Sequence, residues 1–290
     1  MLIIFNPMAG RRRAALLSRV LDQLTALGIQ FELVHTAYAG HATELARAAA
    51  ESGVPMVVAA GGDGTVSEIA NGLIGSATVL GIVPLGTANV LCKEYGLSTT
   101  PRGIAHALAN RHCRPLWPGI AQLPDKQHLF IQMLGIGFDA TVVHTVQPKM
   151  KRAFGKGAYV WQSLHTATTY KFPLVCVHID GILHQAASII ISKGRLYGGA
   201  YRLAPQAQPE EPGFQVVLFK KPGLLSALLT GAALPLGLLP HCPGVSVVRA
   251  NHIEIHATKA ALHAQADGDA MPEMPIRIFD AKAPLSLVVG

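Results

Sequence analysis

Acidic side chains are scarce in this 290-residue chain. Asp and Glu number 17 against 24 Lys and Arg, and the net charge is +7. A basic surface of this kind suits nucleotides or an anionic membrane. Aromatic residues are few as well, at 6%, and no Lys/Arg stripe is interleaved with them. That argues against nucleic acid as a partner. Charged residues amount to only 14% while half the chain is apolar, which excludes a disordered or linker-like protein. The four cysteines, Cys92, Cys113, Cys176 and Cys242, form no CxxC pair and no metal-like spacing. Reduced thiols in a cytoplasmic protein are expected. Long apolar runs are also missing. Residues 1–5 are too short for a secretion signal and lead directly into Asn6-Pro7. Residues 223–239 are uncharged and leucine-rich, near the lower length limit for spanning a bilayer. Pro235 and glycines interrupt them, and Pro222 and Pro240 flank them, so a buried or lipid-contacting helix is expected there.

The most informative residues present are Gly61-Gly62-Asp63-Gly64-Thr65. They follow an apolar run at 54–60 and precede a helix-like stretch at 66–73. Glycines let a backbone approach its ligand closely, and a helix start offers N–H groups and the positive end of a dipole. Such a turn suits phosphate. Asp63 is the odd member, because its carboxylate repels phosphate unless a divalent cation or a transferring proton lies between them. Taken alone, the pentapeptide is equally compatible with a tight strand-to-helix turn and a capping Asp.

The length is comfortable for two domains. In the first part, strand patterns at 2–6, 31–35, 54–60 and 79–84 alternate with helical patterns at 11–27, 42–52, 66–73 and 89–95. Thr100-Pro101 opens a further helix, with Thr as cap and Pro at its first position. Alternation of this kind predicts a parallel sheet covered on both faces, with ligands at the carboxyl ends of the strands. Asn6, His35-Thr36, residues 61–65 and residues 84–89 should then gather along one edge. Beyond 115–118 the pattern changes to strand-like runs at 130–134, 174–179, 187–192, 214–219, 245–248, 253–257 and 285–289, with a helix at 155–170 between them. Ile179-Asp180-Gly181-Ile182 reads as a hairpin turn. The expected boundaries are an α/β domain at 1–117 and a mainly antiparallel β domain at 118–290.

Five motifs lie in order: Asn6-Pro7-Met8-Ala9-Gly10; residues 61–65 with Glu68 and Asn71-Gly72; Pro84-Leu85-Gly86-Thr87-Ala88-Asn89; Gly135-Ile136-Gly137-Phe138-Asp139-Ala140; and Gln265-Ala266-Asp267-Gly268-Asp269. Together they resemble the diacylglycerol kinase catalytic superfamily, which includes bacterial soluble lipid kinases, sphingosine kinases and ceramide kinases. The resemblance implies an α/β domain like those of phosphofructokinase and NAD kinase, joined to a C-terminal β-sandwich that holds much of the lipid pocket. It implies ATP and Mg²⁺ as cofactors, a lipid substrate, peripheral contact with a membrane and a cytoplasmic location. Homodimerisation is left open. Asn6, Pro7, Ala9, Gly10 and Arg11 would contact the nucleotide, with Arg12 and Arg13 adding charge. Thr36 and Asn89 would join them, Gly61, Gly62, Gly64 and Thr65 would hold phosphates, Thr87 would complete that pocket, and Glu68 would orient the helix or touch ligand. Asp269 stands where the family usually has Glu and would be the base for the lipid hydroxyl. Asp63 would act beside phosphate-bound Mg²⁺.

The chain also departs from the family. Val90 and Trp117 stand where some relatives have metal-network acids. Glu211 falls near the Asp of a second metal loop, but Pro212 replaces its Gly. The basic cluster Lys149, Lys151, Arg152 and Lys156 suits anionic headgroups or a solvated helix face equally. Diacylglycerol is the leading acceptor. A sphingoid or other lipid alcohol, an NAD-kinase-like activity and a non-catalytic lipid- or nucleotide-binding regulator are the alternatives.

Overall fold

The computed structural model describes residues 1–10, 14–145, 156–256, 262–271, 274, 275 and 277–290. Arg11, Arg12 and Arg13 lie outside them, as do Lys149, Lys151 and Arg152. The chain divides into two compact units, Met1–Trp117 with Lys282–Gly290, and Pro118–Ala281.

In the first unit the elements run β1 (Leu2–Phe5), α1 (Pro7–Gly10), α2 (Ala14–Ala26), β2 (Glu32–His35), α3 (His41–Glu51), β3 (Met56–Gly61), α4 (Asp63–Leu73), β4 (Val79–Pro84), α5 (Val90–Glu94), α6 (Pro101–Asn110) and β5 (Cys113–Leu116). Parallel pairing of β1 with β2 and β3, and of β3 with β4, points their carboxyl ends the same way. Every residue of β3 is buried, which is why it reads as an unbroken apolar run. Leu17, Val20 and Leu24 of α2 join Ile104, Ala105 and Leu108 of α6 over Ile3, Met56 and Val58. Thr100 caps α6 by accepting the Gly103 N–H at 3.2 Å, with Pro101 in the first turn, as expected.

The second unit contains β6 (Gly119–Gln122), β7 (Gln127–Phe130), β8 (Met133–Gly137), α7 (Phe138–Thr145), α8 (Lys156–Thr169), β9 (Val175–Ile179), β10 (Ile182–Ala186), β11 (Ser188–Ser192), β12 (Leu196–Tyr197), β13 (Tyr201–Arg202), β14 (Phe214–Phe219), α9 (Leu224–Ala233), β15 (Val245–Ala250), β16 (Ile253–Ile255), β17 (Ala264–Ala266), β18 (Asp269–Met271) and β19 (Arg277–Asp280). Two antiparallel sheets form, ordered β10-β9-β16-β19-β6-β7 and β15-β14-β11-β8-β17-β18. Val175, Val177 and Ile179 of the first share a core with Leu134, Ile136, Ile189 and Ile191 of the second. Ile190 and Val217, on the other face of the second sheet, pack with Leu203 and Leu239. That sheet is therefore apolar on both sides. Asp180 and Gly181 both have positive φ, as a two-residue hairpin turn of this kind requires.

The terminal run at 285–289, expected in the β domain, lies elsewhere. Residues Leu285–Val288 instead form β20 of the first sheet, parallel to β4 through Leu287 and Leu80 and antiparallel to β5. Without it β4 would present a bare edge, and its Leu285 and Leu287 are buried there. Leu287→Ala should therefore cost about 2–5 kcal/mol in urea denaturation. Truncation after Ala281 should prevent the first unit from folding, as read by circular dichroism.

Candidate functional site

In the first unit, the residues following β1, β2, β3 and β4 gather at one sheet edge. Asn6 anchors them. Its N–H donates to the Ala60 carbonyl (3.0 Å), its Oδ1 accepts the Met8 N–H (3.0 Å), and its Nδ2 donates to Thr65 Oγ1 (3.0 Å). Thr65 is buried in the first turn of α4. A Cβ on Gly61 would fall 2.4 Å from Thr65 Oγ1. A Cβ on Gly86 would fall 2.5 Å from Gly62 Cα and 2.7 Å from Asn89 Oδ1. The loops at 61–65 and 84–89 thus touch backbone to backbone, and the Leu85 N–H donates to the Gly61 carbonyl (2.9 Å). Asn89, buried at φ 45°, closes its own loop onto the Gly86 carbonyl (2.9 Å). Thr36 donates its N–H to Phe5 (2.9 Å) just after β2, and Thr87 is exposed. Pro7, Ala9 and Gly10 form α1, and Gly64 lies in the first turn of α4.

The two acids of α4 serve neighbouring helices. Asp63 Oδ1 accepts the N–H groups of Val90 (2.6 Å) and Leu91 (3.4 Å), so it caps α5 from outside. Position 90 contributes its backbone to this contact and buries an apolar side chain. Glu68 Oε2 accepts the Ala42 N–H (3.2 Å) and so serves the first turn of α3. Its carboxylate is directed at a helix, which makes it a structural member of the group. Burial, reinforced by the charge of Asp63, pushes the Cys92 thiol up to about 12, so it stays protonated at neutral pH.

In the second unit, Asp267 and Gly268, at φ 51° and 88°, turn the β17–β18 hairpin. Asp267 is an anchor: its carboxylate accepts the N–H groups of Ile131 (2.9 Å), Gln132 (2.8 Å) and Met133 (3.0 Å). Asp269 opens β18 and is exposed. Behind the turn, Gln265 Oε1 accepts the Gly268 N–H (2.9 Å), and Gln265 Nε2 donates to Asp139 Oδ2 (2.9 Å). The Tyr197 hydroxyl donates to Asp139 Oδ1. A Cβ on Gly135 would sit 2.3 Å from Asp139 Oδ2, so this glycine makes room for the network. Burial holds the Asp139 carboxyl above its ordinary range, against the opposing effect of its two donors. Burial also lowers the His128 imidazole, while the charge of Asp269 pulls it back up. Sequence reasoning missed Tyr197 and His128, which sit in no motif. Asp139 and Gln265 lay inside motifs, but nothing in the sequence paired them.

Glu211, the candidate ligand of a second metal, presents its backbone inward and its side chain to solvent. The fully buried Lys193 ammonium reaches the carbonyls of Glu211 (3.3 Å) and Gly213 (2.8 Å) and Asp280 Oδ1 (2.6 Å). The loop is closed by an ammonium. Among the described residues, no group of three or more His, Cys, Asp and Glu is placed to hold a metal.

Two outcomes follow. Gly86→Ala should destabilise the protein by about 1–3 kcal/mol, because backbone faces the new methyl. Asp139 holds its proton to higher pH when folded than the unfolded value near 3.9. Its contribution to stability therefore falls as pH rises from about 4 through the folded value. Asp139→Asn should flatten that slope in urea titrations at successive pH values; an unchanged slope would assign the titration to another group.

Residues 1–119 match the diacylglycerol kinase catalytic domain, and residues 132–289 match the YegS C-terminal NAD kinase β-sandwich-like domain. The chain is 27% identical over 266 residues to a diacylglycerol kinase of Bacillus subtilis, covering 89% of this chain and 86% of that one. It is 31% identical to a YegS-like protein of Klebsiella pneumoniae, over 72% of this chain and 70% of the other. A crystal structure of a diacylglycerol kinase from Bacillus anthracis shares the fold, with a TM-score of 0.72, 20% identity and coverage of 100% of this chain and 96% of that one. Matched in both units, catalytic domain first and β-sandwich second, the chain belongs to the diacylglycerol kinase and YegS-like lipid kinase family.

Proposed function

We propose that this protein transfers the γ-phosphate of ATP to a lipid hydroxyl, with diacylglycerol as acceptor and phosphatidic acid as product. The observation that carries the reading is the contact of Gly62 with Gly86. It brings two loops together at a point without side chains, beside the start of α4. Side chains there would fill the space a phosphate chain needs. The α4 dipole and its first N–H groups favour the anion. Asn6, Thr36 and Thr87 flank the nucleotide in this reading, and Asn89 keeps its loop in place.

Asp63 Oδ1 already accepts two N–H groups. Its donor set therefore suits an ion carried chiefly by phosphate oxygens and water, as Mg²⁺ commonly is. Such an ion would supply charge neutralisation at the phosphates. Asp269, exposed at the start of β18, accepts the proton of the lipid hydroxyl as it attacks. Asp267 and Gln265 fix the turn that presents it. The lipid acceptor brings the protein to a membrane surface, consistent with its net charge of +7. No helix among the described residues is long and apolar enough to cross a membrane.

Purified protein with γ-labelled ATP and Mg²⁺ should label diacylglycerol in mixed micelles, in competition with monoacylglycerol, sphingosine, ceramide and NAD. Asp269→Asn should lower turnover about 10²–10⁴-fold at unchanged thermal stability. Asp63→Asn should lower turnover and also loosen α5. Undiminished turnover in both variants would refute these roles, and label in NAD alone would refute the lipid acceptor.

A further inference from the structure

Helix α9 is turned inside out. An amphipathic helix on a folded protein normally buries its large apolar residues. In α9, Leu224, Leu225, Leu228 and Leu229 fall on one arc and are 41%, 71%, 41% and 60% exposed. The opposite arc, which faces the protein, carries Ser226, Ala227, Thr230 and Ala233, half-buried or buried. Thr230 satisfies its hydroxyl on the Ser226 carbonyl (2.8 Å) within the helix. Leu236 and Leu238, just beyond, are 71% and 52% exposed. A cluster of bare leucines on this scale marks an interaction surface.

The flanking charges indicate what covers it. Lys220 and Lys221 are exposed immediately before the helix, and no Asp or Glu occurs from Pro212 to Ile253. Cations ahead of a helix N-terminus oppose its dipole, so these lysines do not serve the helix. They would meet their own kind if a second copy docked there in a symmetric pairing. Leucines beside lysines, with no acid nearby, match a bilayer whose acyl region takes the leucines and whose anionic headgroups take the ammonium groups. We infer that the leucine face of α9, with Lys220 and Lys221, docks the protein onto anionic lipid bilayers. The surface is defined by α9 itself and does not depend on which acceptor is phosphorylated.

The test is co-sedimentation of the full chain, without nucleotide, with vesicles of phosphatidylcholine alone or mixed equally with phosphatidylglycerol. The wild type should bind the mixed vesicles, and salt should weaken that binding. Leu225→Ser with Leu229→Ser should reduce the affinity about tenfold for each leucine. Lys220→Glu with Lys221→Glu should reduce it about fivefold or more for each lysine, on mixed vesicles only. All four side chains are exposed, and unchanged melting temperatures would show that the variants fold. Absence of wild-type binding, or undiminished binding by both variants, would overturn the inference. So would sedimentation velocity showing a wild-type dimer that the leucine changes dissociate. Because nucleotide is absent, the result is independent of whether phosphoryl transfer is found.

Discussion

The approach of Gly62 to Gly86 is the constraint on which the candidate site depends. At this contact two loops from adjacent parallel strands meet with no side chain between them. Any other residue at position 86 would press a Cβ into the opposing backbone. Once the loops touch, Asp63 reaches the start of α5, Asn89 folds back onto Gly86, and Asn6 ties the loop after β1 to Thr65. One close approach thus aligns three loops and two helix starts. The same crowding leaves no room for a side chain at positions 61 and 86.

A second theme is how the few acids are used. Asp63 and Glu68 hold the N-termini of neighbouring helices, Asp267 holds three consecutive N–H groups, Asp180 accepts from Asn251 and His252, and Asp280 holds Lys193 and the Gly213 N–H. A carboxylate accepting backbone N–H groups is stabilised as an anion and rigidifies the turn it binds. Asp269 is exposed at the start of β18. Its place in the last of the five motifs is what makes it the proposed base. Asp139 differs from the backbone-bound acids: it is half-buried, and its donors are the side chains of Tyr197 and Gln265.

Basic charge gives the two functional ideas a common physical basis. A surplus of cations favours nucleotide phosphates in the first unit and anionic headgroups beside α9 in the second. The leucines of α9 show that hydrophobic patterning serves two masters. In α2 the apolar face builds a core; in α9 the larger residues face out and the smaller ones fit against the protein.

The sequence by itself determined the alternation of strands and helices, the carboxyl-edge clustering of Asn6, Thr36 and the two glycine loops, the hairpin turn at Asp180, and the family. These follow from local signals: apolar periodicity, glycine turns, capping residues and motif order. Only the tertiary structure decided that the last strand returns to the first sheet, because a short strand with leucines at alternate positions fits any sheet with an open edge. It alone paired Asp139 with Gln265 and Tyr197, and Lys193 with the loop at Glu211. Those contacts join residues far apart in the chain that carry no mutual pattern. It also decided that the leucines of α9 face outward, since a helix's sequence marks its two faces without saying which of them the protein will cover.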